Sequence, residues 1–386
     1  MLADNTEHVI SYWVIYQKFA SPELGGFAVI SHWLPFLLFS MSISRLAERY
    51  DPRRFIVIGM LLFMGVSLTW AALIASGTLQ MWHAMLLLIV HGLAGALWNP
   101  SSMLLLHDIV PEGHLQSAVR LSATGRTLGM LLGPAVGSAL MLLVSPATGL
   151  AINALIYLPL LCWALPRTRP YRVKRAHLLP GNSGLQDLLT TLRTIRGQRT
   201  ILLMMLLAGG ASALIGNSYQ AQMPGFARIL GHGDPGITYS LLLAADAAGA
   251  LLAGVLLESR GLLPPRTGTT LLLAMLWCVA LGGFALSHAY VLALPLLFAA
   301  GFFELSFNSM SQTLVQLNSP PPLRGRIIGA YALASLGMRL FSGLSVGVVG
   351  GWLGINVALL LSAALLLLWL VALLLAARIR AAPGPS

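Results

Sequence analysis

The sequence predicts an all-α membrane protein made of two six-helix halves, and three observations carry that reading. The chain is 57% hydrophobic and only 9% charged over 386 residues, with a mean hydropathy of +0.81. A soluble domain carries roughly 25% charged residues, so there is too little polar surface here to keep a globule in water. The arginines fall in alternate links between apolar runs, and the chain resembles itself at an offset of about 209 residues.

The apolar runs set the elements. Segments 24–47, 55–77, 81–106, 115–144 and 147–165 precede the longest polar stretch, and 201–223, 238–257, 268–287, 290–315, 327–349 and 352–376 follow it. A run of about 20 apolar residues crosses a hydrocarbon core of about 30 Å. Ser145-Pro146 marks a tight turn between the fourth and fifth of these runs.

Charge sets the orientation. Arg45, Arg49, Arg53 and Arg54 share one link; Arg167, Arg169, Arg172, Lys174, Arg175, Arg193, Arg196 and Arg199 fill the longest polar stretch. Arg260 and Arg266, Arg324 and Arg326, and Arg378 and Arg380 follow, while the alternate links hold little beyond Lys18 and Arg228. Arginine-rich links face the cytoplasm. The net charge of +11 therefore reports topology and a lipid bilayer as partner, and no nucleic-acid role is expected.

The repeat has two anchors. "WNPSSMLLLHDIVP" places Asn99 twelve residues before Pro111, and "FNSMSQTLVQLNSP" places Asn308 twelve before Pro320. "SRLAER", with Glu48, aligns with "GVLLES", with Glu258, at nearly the same offset. Parallel halves of this kind mark secondary transporters, whose sites lie between the repeats near the midplane. The offset carries the segment starting near Ile201 back to before Met1. "HVISYWVIYQKF" is then the outer half of a first helix, and the chain is expected to be truncated there by on the order of ten membrane residues; the alternative is an exported N-terminus followed by eleven spans. The expected organisation is a first half over 1–166, a cytoplasmic linker over 167–199, a second half over 200–377 and a cytoplasmic tail over 378–386.

In the linker, "SGLQDLLTTLRTIRGQR" puts Leu185, Leu188, Leu189, Leu192 and Ile195 on one helical face. Ser183 and Gln186 have capping-box spacing, with Asp187 near the start and arginines near the end. An amphipathic helix on the membrane surface is expected.

"GRTLGMLLGPAVGSAL" gives up packing volume at Gly125, Gly129, Gly133 and Gly137, and adds Pro134. Residues four apart share one helix face, so the glycines form a smooth stripe that lets two backbones approach closely in lipid. Pro134 removes one backbone hydrogen bond and bends the helix. "GMLLGPAVGS" resembles the antiporter motif on the fifth helix of exporters of the major facilitator superfamily, with Ser138 at its final glycine. "SRLAERYDPRR" resembles that superfamily's loop signature between the second and third helices, with Ser44 at the usual glycine and Glu48 at the usual aspartate. Along "HDIVPEGHLQSAVRLSATGRTLGMLLGPAVG" the resemblance extends to the branch of the enterobactin exporter and the macrolide efflux permeases. The resemblance implies a twelve-helix transporter rocking between two open states. It further implies a cytoplasmic latch of Glu48, Arg49, Arg53 and Arg54, with Glu258 and Arg260 as a degenerate copy. A carboxylate beside arginines and helix ends can hold a closed arrangement and release it.

Charges within apolar runs each cost at least about 2.5 kcal/mol at a helix centre and mark candidate sites. Asp246 and Glu304 lie in the eighth and tenth helices of the twelve-helix count, and Arg126 and Arg339 in the fifth and eleventh. Glu7 sits in the first helix beside His8, with Asp4 nearby. These six, with Asn99 and Asn308, are the candidates for proton coupling or substrate contact; Arg126 would hold an anionic substrate or neutralise Glu7. His32, His91 and His288 fall on different segments and read as core or interface residues. The nine tryptophans read mainly as interface belts.

Cys162 and Cys278 are isolated within apolar runs, and no Cys and His spacing of a metal site appears, so neither metal nor cofactor is expected. Lys18 and Lys174 are the only lysines and neither belongs to a nucleotide-binding loop, so ATP hydrolysis is not expected. The leading expectation is a monomeric, multi-pass permease of a bacterial inner membrane. It would use proton entry to export a medium-sized organic compound such as a siderophore or a drug, a macrolide among them. The alternatives are an uptake symporter of the same fold, a scaffold or sensor that transports nothing, and an inactive truncated product.

Overall fold

The computed structural model describes residues 1–111, 114–165, 184–231, 234–260, 265–320 and 323–379, and no strand occurs among them. The chain divides into two compact units, Met1–Leu178 and Leu179–Ser386. Ten segments of the described chain are long and apolar enough to cross a membrane.

In the first unit, α1 (Leu2–Phe19), α2 (Pro22–Arg49), α3 (Pro52–Ala75), α4 (Met81–Ile109) and α5 (Leu115–Leu143) are followed by α6 (Pro146–Ile156) and α7 (Leu158–Ala164). Two of these stand outside the ten crossing segments: α1 carries Asp4, Glu7 and Lys18, and only Leu128–Leu143 of α5 is apolar. Helix starts follow side-chain chemistry. Ser21, Asp51 and Ser145 each accept a hydrogen bond from the first turn, and each is followed by proline. The fifth apolar segment breaks at Tyr157, ahead of Pro159, into α6 and α7.

In the second unit the linker helix α8 (Gly184–Gly197) precedes α9 (Arg199–Leu214), α10 (Ser218–Ala221) and α11 (Met223–Leu230). On α8, Ile195 is buried while Leu189 and Leu192 remain exposed; Ser183 and the side chains of Leu185, Gln186, Asp187 and Leu188 lie outside the described residues. One apolar segment was expected over 201–223. It is broken instead at Gly216, which takes a left-handed φ of +50° open to glycine at no steric cost.

Then come α12 (Pro235–Arg260), α13 (Thr267–Leu286) and α14 (Tyr290–Asn318), and α15 (Arg324–Ala332), α16 (Arg339–Ser342), α17 (Val349–Leu353) and α18 (Ile355–Ile379). The segment expected over 327–349 is not a regular helix. It widens into π turns at Leu333–Gly337 and Gly343–Val348, on either side of Arg339. Such turns are rare and favour functional sites. Hydroxyls hold the widened segment to the broken one: Ser212 donates to the Ser335 carbonyl at 2.9 Å, Ser345 to the Leu214 carbonyl at 2.7 Å, and Ser218 pairs with Ser342 at 2.7 Å.

A close helix crossing recurs in both units, at glycines related by the repeat offset. A Cβ on Gly92 of α4 would collide with the Ser31 carbonyl of α2, and one on Gly301 of α14 with the Asp246 carbonyl of α12. Only glycine lets the backbones meet there.

Asp51 caps α3 and pairs with Arg53 at 2.6 Å, a contact that local sequence pattern does not mark. Partial burial pushes its carboxyl up, but the side-chain and backbone bonds from Arg53 outweigh this and hold it below the usual carboxylate range. Asp51→Ala should cost about 1 kcal/mol, as loss of a cap does. A group with a depressed folded value stabilises above its unfolded pKa, about 3.9, and loses that contribution as pH falls through the folded value. The melting difference between the two proteins should therefore be full at neutral pH and close on acidification.

Candidate functional site

The first unit builds a buried polar cluster from five helices. Asp4 and Glu7 project from α1 and His91 from α4, and all three are buried. The ring of His91 sits between the two carboxylates, with Nε2 2.8 Å from Asp4 Oδ1 and Nδ1 2.8 Å from Glu7 Oε1. Ser67 of α3 donates to the other oxygen of Glu7, and Asn153 Nδ2 of α6 donates to Ser67 at 3.1 Å. His8 of α1 and His32 of α2 complete the group, with ring centroids 4.8 and 5.5 Å from His91 and 4.9 Å from each other. The reading of His32 and His91 as separate core residues is thereby corrected. Helix packing assembles them with His8, which sequence separation hides. The one local signal is Asp4 and His8, a turn apart on one helix face.

The cluster borders a cavity of about 230 Å³ lined by Asp4, His32, Trp33, Phe63, Trp98 and Asn99 among others. Arg126 of α5 donates to Asn99 Oδ1 at 3.2 Å and lies 5.9 Å from the Trp98 ring. It does not neutralise Glu7, whose oxygens are engaged by His91 and Ser67.

The glycine stripe of α5 packs on α1, the helix that carries Asp4 and Glu7. A Cβ on Gly133 would collide with the Asn5 side chain, and one on Gly129 or Gly137 would come within 2.8 or 2.9 Å of the α1 backbone. Thr6 also donates to the Gly133 carbonyl at 3.3 Å. Gly125 is a departure from the four-glycine stripe, since it is exposed and a Cβ there would meet nothing within 4 Å. Pro134 lies inside α5 without ending it.

The second unit has its own buried group. The Tyr219 hydroxyl of α10 lies 2.9 Å from Glu304 Oε2 and 3.2 Å from both oxygens of Asp246. Gln220 Nε2 donates to Asp246 Oδ2 at 3.0 Å, and Arg339 is near enough to act electrostatically on Glu304. Three of the sequence candidates, Asp246, Glu304 and Arg339, are thus brought together around Tyr219. Tyr219 and Gln220 were not among the sequence candidates, although Gly216-Asn217-Ser218 and the polar Gln220 and Gln222 interrupt the apolar run and are the signal that could have marked them. Asn308 is half-buried on α14.

At the signature between α2 and α3, Arg53 is bound to Asp51 and Arg54 is exposed. The side chains of Glu48, Arg49, Glu258 and Arg260 lie outside the described residues.

Comparison with known proteins agrees with this architecture. The profile described as Major Facilitator Superfamily matches residues 8–343. The MFS-type transporter YfiS of Bacillus subtilis (strain 168) is 26% identical over 373 residues, covering 92% of this chain and 84% of its own. Among solved structures, a bacterial homologue of the human lysosomal transporter Spinster, inward-facing and unoccupied, superposes with a TM-score of 0.71 at 16% identity, over 100% of this chain and 96% of that one. A D-xylose-proton symporter gives 0.63 at 16% identity, over 95% of each chain. At such identities the structural likeness shows the fold alone. The profile match spans most of the sequence, and the chain belongs to the Major Facilitator Superfamily, as a multi-pass membrane transporter of small molecules.

Proposed function

We propose that the protein is a proton-coupled exporter of a medium-sized organic compound, of the siderophore, macrolide or other drug class, acting as a monomer in a bacterial inner membrane. The observation that carries the proposal is the meeting of Asp246 and Glu304 at one hydroxyl. Tyr219 has a single hydrogen to donate, so one carboxyl stays without it, and a proton on the pair completes the set. Adding or removing that proton changes the charge facing Arg339. A group with two charge states and different affinities for two conformations shifts their populations.

Direction and substrate class have separate support. The exporter resemblance of Gly129, Gly133, Pro134 and Gly137 favours efflux. The aromatic walls of the cavity beside Asn99 and Arg126 suit a partly apolar compound. In this reading Glu48, Arg49, Arg53 and Arg54, with Glu258 and Arg260, form the cytoplasmic latch, and 167–199 is the linker between halves 1–166 and 200–377, with 378–386 as tail.

Inverted membrane vesicles, acid inside, should accumulate a labelled macrolide, catecholate siderophore or lipophilic dye from a panel, and a protonophore should abolish the uptake. Accumulation only in right-side-out vesicles, acid outside, would identify an uptake symporter instead. Orientation has its own check. A tag at Gly181 should be labelled only from the cytoplasm and one at Gly231 only from outside; the opposite pattern would remove the latch from the cytoplasmic face.

A further inference from the structure

We propose that Asp4, His8, His32 and His91 form a binding site for one divalent transition-metal ion of the zinc class. Each residue offers one ligating atom, and the four atoms lie within 4.8 Å of one another. Three imidazoles and one carboxylate suit a borderline ion such as Zn²⁺ or Co²⁺, whereas Mg²⁺ and Ca²⁺ take oxygen ligands. Zinc–ligand bonds of about 2.0–2.1 Å set tetrahedral edges near 3.4 Å. The group therefore has to contract by no more than about 1.4 Å on its longest edge, within reach of side-chain rotation.

The surroundings argue further than the ligands. A metal-bound histidine generally gives its other ring nitrogen to a carboxylate, which fixes ring and tautomer. His91 has that arrangement: Nδ1 is 2.8 Å from Glu7, Glu7 is held by Ser67, and Ser67 receives a bond from Asn153. Nε2 is left pointing at Asp4, on the side where His8 and His32 stand. A metal ion would replace the proton between Nε2 and Asp4, leaving both atoms as ligands.

Access is provided by the cavity, whose wall includes Asp4 and His32. The site is separate from the carboxylate pair of the second unit, so it stands or falls independently of proton coupling.

The test is equilibrium metal binding by the purified full-length chain in detergent, carrying an affinity tag without histidine. Titration with Co²⁺ should give the visible absorption of a tetrahedral nitrogen–oxygen site, saturating at one equivalent and displaced by Zn²⁺. His32→Gln, at the half-buried cavity wall, and His8→Ala should each abolish the saturable signal. Glu7→Gln should weaken it about 10–100-fold, as loss of an orienting carboxylate does. His83→Ala and His288→Ala, outside the cluster, should leave it unchanged. Elution as a single species and an unaltered metal-free melting temperature certify that each variant is folded, and Zn²⁺ should raise that temperature in the wild type but not in His32→Gln. Absence of one-equivalent binding in the wild type would overturn the proposal, as would its retention in a folded His8→Ala/His32→Gln double variant.

Discussion

Gly133→Leu should abolish transport while Gly125→Leu leaves it close to wild type, although the two glycines share one stripe in the sequence. At Gly133 even a Cβ collides with Asn5, and a leucine side chain would have to push α1 away from α5. Overpacking of this kind commonly costs about 1–3 kcal/mol, which a membrane helix bundle can survive. The functional loss is larger than the loss of stability, because Leu2, Ala3 and Asp4 of α1 form part of the wall of the cavity proposed for the substrate, and a shift of α1 reshapes it. Gly125 is exposed, so a side chain there meets nothing in its own unit. Uptake by inverted vesicles, normalised to protein in the membrane, checks both. Equal loss in the two variants would mean that the stripe acts through something other than contact with α1.

The second large effect is expected at the carboxylate pair. Asp246→Asn and Glu304→Gln each keep a polar side chain that can pair with the Tyr219 hydroxyl, so folding should be preserved. Each removes a group able to change charge. Gradient-driven transport should fall at least about tenfold, the equivalent of about 1.4 kcal/mol in coupling, while equilibrium binding of the same macrolide or dye stays within about threefold. Asp246→Asn is expected to be the more severe. Asp246 is the more deeply buried, and its backbone carbonyl already abuts Gly301, so the site has little room to rearrange. Full gradient-driven transport by both variants would move the proton elsewhere, with Glu7 and Asp4 next in line.

The fold was legible because one physical signal, apolar length, governs helices in lipid. Segment positions, the repeat and the glycine stripe all follow from local composition. Irregularities were not legible. The π turns around Arg339 lie in an apolar run without proline, and nothing local distinguishes them from regular helix, whereas the break at Gly216 coincides with the turn-forming Gly216-Asn217-Ser218, a signal outweighed by the apolar residues on its N-terminal side. The candidate sites were half visible. Isolated charges such as Asp246, Glu304 and Arg339 stand out against leucine, so the sequence marks them, but not that they converge on Tyr219. His8, His32 and His91 carry no formal charge in that count and lie on three helices, so only tertiary packing joins them. Gly92 and Gly301 show the converse. Each is one of 39 glycines, and its role emerges only when the neighbouring carbonyl is seen.

The central claim, that a proton moves through the Asp246–Glu304 pair as substrate crosses, is tested most directly by reading the proton itself. Purified protein in liposomes loaded with a pH-sensitive dye would be given an outward gradient of whichever panel compound the vesicles accumulate. The account predicts that substrate efflux drives proton entry, acidifying the lumen, and that the Asp246→Asn/Glu304→Gln double variant shows no such change while still binding the compound. Substrate-driven acidification of wild-type size in the double variant, or substrate efflux by the wild type with no proton movement, would contradict it.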